Sequence, residues 1–250
     1  MKITLKCDRK IAYDSPDHLE PLGTLQDNSR NERFNIKFYN LIDKNKNKNS
    51  ILDLGCAGGG FVRSCINDGC IAIGIEGSDY SQKMKREEWA VIPEFLLTCD
   101  IAERFELSSD KIKMKFNLIT AWEVLEHIKE DKIINLIGNI KKHLTKEGLF
   151  IASISNSSSK SNGVELHQTQ RTKEWWIKKF EENGFYERKE LYSYFNKQYV
   201  RGRKETLKEF HTIFSLNNKE YSFKLSLRSK LVDFWAGSRL QRFLKYLIIG

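Results

Sequence analysis

Short apolar runs alternate with segments of helical periodicity from Ser50 onward. The runs predict buried strands over residues 51–54, 71–75, 94–98, 116–120 and 149–154. Between and after them, apolar residues recur every three or four positions and predict helices over residues 60–67, 81–89, 125–144 and 172–183. Strands that are almost wholly apolar are buried on both faces. The pattern therefore predicts an α/β fold, in which a mostly parallel sheet lies between two layers of helices.

The pattern is weaker on either side of this region. Residues 1–30 show no clear periodicity, residues 33–42 predict a helix, and residues 185–195 and 221–228 alternate in the way of more exposed strands. We therefore divide the chain into an N-terminal lead-in and helix (1–49), a core (50–195) and a C-terminal part (196–250). The last part is expected to hold an insertion, the last strand and a basic amphipathic helix.

Positive charge is concentrated in the C-terminal part. The chain has a net charge of +9, and residues 196–250 hold 12 Lys and Arg against 4 Asp and Glu. Such an asymmetry fits an anionic partner, but a general Lys and Asn bias of the composition explains it equally well. Within residues 196–220, Arg201, Arg203, Lys204 and Lys208 are candidates for binding a phosphate or another anion.

Cysteine use and hydropathy bear on the compartment. The 5 cysteines form no CxxC pair and no cluster with histidines, so we expect reduced, mostly buried thiols. No apolar run reaches the roughly 18 to 20 residues of a membrane-spanning helix. A cytoplasmic protein is expected. The apolar face of residues 231–248 predicts a helix that packs on its own domain or on a second copy, or one that lies on a membrane surface.

Candidate chemistry begins with a glycine-rich turn, residues 53–61, between the first core strand and its helix. Glycines let the backbone turn sharply beside a ligand, and the helix start offers free N–H groups. Glu76 ends the second strand, where a carboxylate can accept from both hydroxyls of a ribose. Asp100 follows the third strand, where it can accept from an adenine amino group. All three features converge on one crevice, because ligands of open α/β sheets bind at these strand ends.

The segment from Ile51 to Ser155 resembles a class I S-adenosylmethionine (SAM)-dependent methyltransferase domain with a Rossmann-like, seven-stranded sheet. The resemblance rests on ILDLGCAGGGF, IGIEGSD, CDI and FNLITAWEVLEHI. It implies SAM as the cofactor, bound by Asp53, Gly55, Ala57, Gly59, Glu76, Asp100, Ile101 and Trp122. Ala57 departs from the glycine that many relatives have there. A nicotinamide-dependent dehydrogenase is disfavoured, since its GxGxxG arrangement is missing and EVLEHI has no role in it.

The EVLEHI stretch brings Glu123, Glu126 and His127 to the rim of this crevice. Their spacing would put all three side chains on one side of a helical turn. Two carboxylates and an imidazole suit Mg²⁺ or Mn²⁺, and less well Zn²⁺. The motif also resembles that of ubiquinone-biosynthesis O-methyltransferases and of RNA 3′-end 2′-O-methyltransferases, in which it can hold a metal. By the second resemblance, His167 is the fourth ligand.

Alternatives remain for this set. In much of the superfamily the same Glu and His only hydrogen-bond the loop, and His167 could act as a general base without metal. Catalytic roles are predicted for His167, His127 and Glu123, and O-methylation is favoured over N- or C-methylation. The acceptor is expected to be a sugar or glycan-precursor hydroxyl of the surface-polysaccharide type or another small molecule, with RNA as the alternative. A non-enzymatic SAM-binding role is disfavoured because cofactor and catalytic candidates are both present.

Overall fold

A computed structural model of the chain describes residues 2–42, 49–202 and 208–223, together with Leu227, Leu231 and Trp235. The strands of the described part, numbered along the chain, are β1 (Ile3–Cys7), β2 (Ser50–Leu54), β3 (Ile71–Glu76), β4 (Leu96–Thr98), β5 (Phe105–Ser109), β6 (Ile112–Lys113), β7 (Phe116–Trp122), β8 (Leu144–Ser155), β9 (Lys160–Ser161), β10 (Val164–Glu165), β11 (Tyr186–Glu187) and β12 (Glu209–Ser215). The helices are α1 (Pro16–Leu19), α2 (Leu22–Gln26), α3 (Glu32–Ile42), α4 (Gly60–Asn67), α5 (Tyr80–Lys83), α6 (Ile133–His143), α7 (Lys173–Glu182) and α8 (Lys189–Phe195).

Seven of these strands form the main sheet, in the order β11-β12-β8-β7-β2-β3-β4. The five strands from β8 to β4 are parallel, and β12 and β11 are added antiparallel at one edge. The carboxyl ends of the parallel strands therefore meet at one edge of the sheet. The predicted Rossmann-like sandwich with a mostly parallel seven-stranded sheet is confirmed.

Two apolar clusters cover the two faces of the sheet. Alternate residues of one strand point to opposite faces, so Leu52 packs on one side with Ile137 and Phe180, from α6 and α7. Its neighbour Ile51 packs on the other side with Phe34, from α3. The near-complete burial of these strands, which the sequence pattern predicted, follows from this double covering.

The N-terminal lead-in is more ordered than expected. Strand β1 pairs antiparallel with β5, joining Ile3 to Ser109, and the β1-β5-β6 sheet stands apart from the main one. Residues 8–27, which contain α1 and α2, then run to the glycine-rich turn. The strand was missed because it is short and only half-buried, so its alternation was too brief to register.

Of the two exposed strands predicted near the C-terminus, the first is present only in part and the second is wrong. Residues 185–195 form only the two-residue β11 and then helix α8, since Leu191, Tyr194 and Phe195 are buried at helical spacing. The last strand of the sheet is β12, inside the stretch interpreted as an insertion, and not residues 221–228. Of that predicted segment, residues 221–223 form no strand, and residues 224–226 and 228 lie outside the described part.

Other boundaries differ more modestly. The predicted helix over residues 125–144 is two 3-10 turns, Leu125–His127 and Glu130–Lys132, followed by α6. The predicted helix over residues 81–89 is α5 and a 3-10 turn. Within the described residues, no helix is long and apolar enough to cross a membrane. The helix predicted for residues 231–248 lies outside the described residues, apart from Leu231 and Trp235.

Candidate active site

Two adjoining cavities open at the carboxyl edge of the parallel strands. The larger has a volume of about 560 Å³ and the smaller one of about 170 Å³. They share the five lining residues Asp17, Gly55, Glu76, Val124 and His127. The wall between them therefore combines the glycine-rich turn, the end of β3, the loop after β7 and helix α1. One ligand could extend from the smaller cavity into the larger.

The glycine-rich turn has a backbone that few residue types adopt. Gly55 has a φ of +71°, and a Cβ there would lie 2.4 Å from Cγ2 of Val124. Neither the conformation nor the space allows a side chain. Ala57 also has a positive φ, +45°, the region that favours glycine, which accounts for the glycine expected there from relatives. This chain keeps the same turn with a methyl group on it.

The Glu76 carboxylate is hydrogen-bonded to the glycine-rich turn. Its Oε2 accepts from the N–H of Ala57 at 2.8 Å, and its Oε1 accepts from the N–H of Gly77 at 2.9 Å and of Ser78 at 3.3 Å. Burial raises the pKa of the carboxyl to about 6, against the lowering effect of those N–H donors. Glu76 thus reaches both cavities while it also fixes the glycine-rich turn.

Asp53 lies deeper than the sequence implied. It is 2 % exposed and lines neither cavity, and its Oδ1 accepts from the Thr120 hydroxyl at 2.7 Å. Burial raises the pKa of this carboxyl to about 8, opposed by the Thr120 hydroxyl and reinforced by the charges of Asp27 and Glu76. Gly59 also lines neither cavity and packs against Leu96.

The remaining cofactor candidates divide between the cavities. Asp100 and Ile101 line the smaller one, where Asp100 accepts from the N–H of Ala102 at 2.9 Å and lies 3.5 Å from Arg9. Burial raises the pKa of Asp100, although the Ala102 N–H and Arg9 oppose it. Trp122 lines the larger cavity, and its buried indole N–H has no hydrogen-bond partner among the described residues.

Three of the four predicted metal ligands come together in the larger cavity. Glu126, His127 and His167 offer ligand atoms that all lie within 4.8 Å of one another. Glu126 and His127 belong to the 3-10 turn after β7, whereas His167 follows β10. We call these three residues the triad.

Each side chain of the triad has two possible metal-ligand atoms, and one of them contacts another residue of the protein. Oε1 of Glu126 accepts from the N–H of Ser155 at 2.8 Å, and its buried Oε2 has no hydrogen-bond partner among the described residues. Nδ1 of His167 lies 2.5 Å from the carbonyl oxygen of Ser157. Nδ1 of His127 lies 2.8 Å from Oδ2 of Asp17. The protein thus holds one atom of Glu126 and one of His167 by hydrogen bonds, whereas Nδ1 of His127 is at ion-pair distance from Asp17 without hydrogen-bond geometry.

The pKa values of the triad reflect its burial. Burial raises the pKa of Glu126 to about 7, although His127 opposes this. Burial lowers the pKa of His127, but Asp17, Glu126 and Glu123 outweigh it and the net direction is upward. For His167, burial and the neighbouring His127 lower the pKa, which favours a neutral ring.

Glu123 does not join the triad. It precedes the 3-10 turn with a φ of +56°, so the predicted single helical turn over residues 123–127 was wrong. Its Oε2 instead lies 2.8 Å from Arg201, whose other terminal nitrogen lies 2.5 Å from Asp27. Arg201, a predicted anion-binding residue, is thus already paired with two carboxylates. Arg203 and Lys204 lie outside the described residues.

Among the contributors to the larger cavity that sequence reasoning missed are Asp17, Asp27 and the serines at and after the end of β8. Asp17 and Asp27 belong to a segment without periodicity, so no local signal marked them. Ser155 ends the last parallel strand, Ser157, Ser158 and Ser159 follow it, and all four line the cavity. Their position at a strand end was a usable signal, because ligands bind at these ends.

A family of known proteins matches the greater part of this chain. Residues 28–199 match a protein family described as a methyltransferase domain. Solved structures with similar folds include an S-adenosylmethionine-dependent methyltransferase from Clostridium acetobutylicum, at 13% identity and a TM-score of 0.49 over 68% of this chain and 85% of that one. A TehB-like SAM-dependent methyltransferase from Corynebacterium glutamicum has 15% identity and a TM-score of 0.45, over 67% and 79% of the two chains.

A third structure is the glycopeptide N-methyltransferase MtfA in complex with S-adenosyl-L-homocysteine. It has 10% identity and a TM-score of 0.47, over 76% of this chain and 88% of that one. No curated protein sequence matches the chain.

Proposed function

Because the chain belongs to the methyltransferase-domain family over residues 28–199 and has the class I SAM-dependent fold, we propose that it transfers a methyl group from SAM to a hydroxyl of a sugar or glycan precursor. One observation carries the acceptor half of this proposal. The triad and the glycine-rich turn line the same cavity, so a cofactor on the turn would present its methyl group toward the triad.

The residues present fit SAM. The smaller cavity offers Asp100 and Ile101 for the adenine, and Glu76 lies between the cavities for the ribose hydroxyls. The methionine part of SAM would lie in the larger cavity, beside the closely packed backbone of Gly55 and Ala57. SAM supplies a methyl group on a positively charged sulfur, open to in-line attack by an oxygen. Asp53 would act from beneath the turn, because it lines neither cavity.

The triad fits a divalent cation such as Mg²⁺ or Mn²⁺. The fit rests on the buried Oε2 of Glu126, which lacks a hydrogen-bond partner among the described residues, and on two imidazoles beside it. The second atom of Glu126 and of His167 is hydrogen-bonded by the protein, and that of His127 lies 2.8 Å from Asp17, in the way that metal ligands are commonly supported. A bound cation would lower the pKa of an acceptor hydroxyl.

His167 supports a metal-free version of the same reaction. Its Nδ1 is engaged by Ser157, and its lowered pKa keeps the ring neutral near pH 7. The second ring nitrogen can then take the proton of the acceptor hydroxyl as the oxygen attacks the methyl group. Both versions make O-methylation the expected outcome, and chelation separates them.

The walls of the larger cavity favour a hydroxyl-rich acceptor. They carry five serine hydroxyls and several carboxylates, which are good partners for sugar hydroxyls. Arg201 is the single arginine or lysine among the described residues that line it, and it is paired with Asp27 and Glu123. A phosphate-rich acceptor such as RNA would meet more negative than positive charge there.

The test is transfer of tritiated methyl groups from SAM to panels of free sugars, nucleotide-activated sugars and RNA, with EDTA, Mg²⁺ or Mn²⁺. We expect a sugar to be methylated and EDTA to abolish at least about nine-tenths of the rate, with recovery on Mn²⁺. Glu126→Gln should lose activity, whereas Glu130→Gln, an exposed glutamate beyond the triad, should not.

Each other result removes one part of the proposal. Full activity in EDTA together with loss in His167→Ala would leave the general-base version. Transfer to RNA and to no sugar would overturn the acceptor. Failure of the wild-type protein to bind SAM by calorimetry would overturn the whole assignment.

A further inference from the structure

The segment 8–27, which we call the strap, lies before the range that matches the methyltransferase domain. It crosses the carboxyl ends of the parallel strands and is hydrogen-bonded to the loops there. The backbone contacts are Asp100 N–H to Arg9 O at 3.1 Å, Ala12 N–H to Gly77 O at 3.0 Å and Gly58 N–H to Asp27 O at 2.9 Å. The strap therefore touches the loops after β2, β3 and β4 and borders both cavities.

Asp17 is the strap residue that reaches the triad. It lies in α1 and lines both cavities, and its Oδ2 is 2.8 Å from Nδ1 of His127. The contact is largely sheltered, since the side chains of Asp17 and His127 are 27% and 16% exposed. The rings of His127 and His167 are 4.8 Å apart, edge to face, so the orientation of one ring constrains the other.

We propose that Asp17 is a positioning residue of the acceptor site: it holds Nδ1 of His127 so that the other ring nitrogen serves the triad. This inference rests on the proposed function of the triad. A carboxylate on one imidazole nitrogen selects the tautomer and fixes the ring plane, the arrangement commonly found behind histidine metal ligands. The catalytic domain alone would then have an incomplete site, and the strap supplies the missing contact.

The placement of Asp17 also couples the two halves of the reaction. Asp17 reaches His127 only while the strap lies across the crevice, and the strap borders the smaller cavity through Arg9 and Ala12. A cofactor that fixes the strap in this position therefore also fixes the orientation of the triad side chains. By reciprocity, SAM should strengthen cation binding at the triad and the cation should strengthen SAM binding by the same factor.

The experiment compares Asp17→Asn, Asp17→Glu and the control Glu20→Gln in the full chain. Glu20 is on the strap, bonds the exposed Asn162 and lines neither cavity. Mn²⁺ binding is measured by electron paramagnetic resonance with and without SAM, and SAM binding by calorimetry without metal. We expect Asp17→Asn to weaken Mn²⁺ binding by about 10- to 100-fold, with metal-free SAM affinity changed less than about threefold. Asp17→Glu should recover part of the loss, and Glu20→Gln should match the wild type.

Equal Mn²⁺ affinity in Asp17→Asn and Glu20→Gln would overturn the inference. A parallel loss of metal-free SAM binding in Asp17→Asn would also overturn it, because it would indicate that the strap had lost its structure. A wild-type protein that binds no Mn²⁺ would instead remove the metal from the proposed function. The positioning role is then decided by nitrogen-15 spectra of the His127 ring in metal-free protein. A single tautomer that becomes mixed in Asp17→Asn supports it, and an unchanged spectrum refutes it.

Discussion

Replacing Asp53 with Asn is expected to stabilise the cofactor-free protein at alkaline pH. The Asp53 carboxyl is 2% exposed, and its charge is compensated mainly by the Thr120 hydroxyl at 2.7 Å. Asparagine has nearly the same shape and keeps an oxygen that accepts from that hydroxyl, but it carries no charge. The variant therefore removes the penalty of burying a carboxylate and leaves the packing of β2 in place.

The magnitude follows from the pKa of Asp53, which burial raises from an ordinary 3.8 to about 8. Between these values the folded protein holds a proton that the unfolded chain has released. The free energy of unfolding of the wild type therefore falls as the pH rises through this window, by up to about 1.4 kcal/mol per pH unit. Above about pH 8 the penalty levels off at an order of 5 kcal/mol. Asp53→Asn should lack this slope.

The assay is urea unfolding of cofactor-free wild type and Asp53→Asn at about pH 5, 7 and 9. The advantage of the variant should grow with pH and then level off, while Asp110→Asn, an exposed substitution, should show no such growth. SAM should stabilise the wild type more than the variant, because a bound ammonium group would compensate the Asp53 charge. A variant that is less stable at every pH, or whose advantage does not change with pH, would refute the reasoning.

Two further substitutions test the local geometry. Gly55→Ala should cost at least about 1 kcal/mol and abolish SAM binding by calorimetry, since its Cβ would meet Val124; Gly163→Ala, at a similar positive φ with open space around it, should cost stability but leave SAM binding intact. Thr172→Ala should lower the free energy of unfolding by about 1 kcal/mol, because the Thr172 hydroxyl accepts from the N–H of Trp175 at the start of α7. Thr172→Ser should retain most of that stability in the same denaturant assay.

The parts of the fold that the sequence predicted are those with a local cause. The strands of the parallel sheet are apolar because helices cover both faces, and the glycine-rich turn must be glycine-rich because of backbone conformation and close packing. Helix α4 was predicted with its observed bounds, Gly60–Asn67. Residues 185–195 show both a strand-like alternation and the helical spacing of Leu191, Tyr194 and Phe195. Helix α8 was missed because the alternation was given more weight than the helical spacing.

The candidate site, too, was predictable only where a local sequence pattern marks its residues. The triad could be anticipated because Glu126 and His127 follow the parallel strand β7, and His167 comes after the parallel strand β8, beyond the short β9 and β10. Glu123 shows the limit of that reasoning, since a positive φ turns it away from the triad and toward Arg201. The sequence near position 123 predicts neither the positive φ of Glu123 nor its ion pair with Arg201.

Asp17 had no signal at all, and the reason is physical. A polar residue in an unpatterned segment acquires a role only through the path that its segment takes over the surface. That path is set by backbone hydrogen bonds from the strap to the ends of the strands, such as Ala12 N–H to Gly77 O, which any residue type except proline can make. The side chain that fills the gap beside His127 therefore becomes identifiable only after the strap is in place, although its effect on the triad should equal that of a residue inside the matched domain.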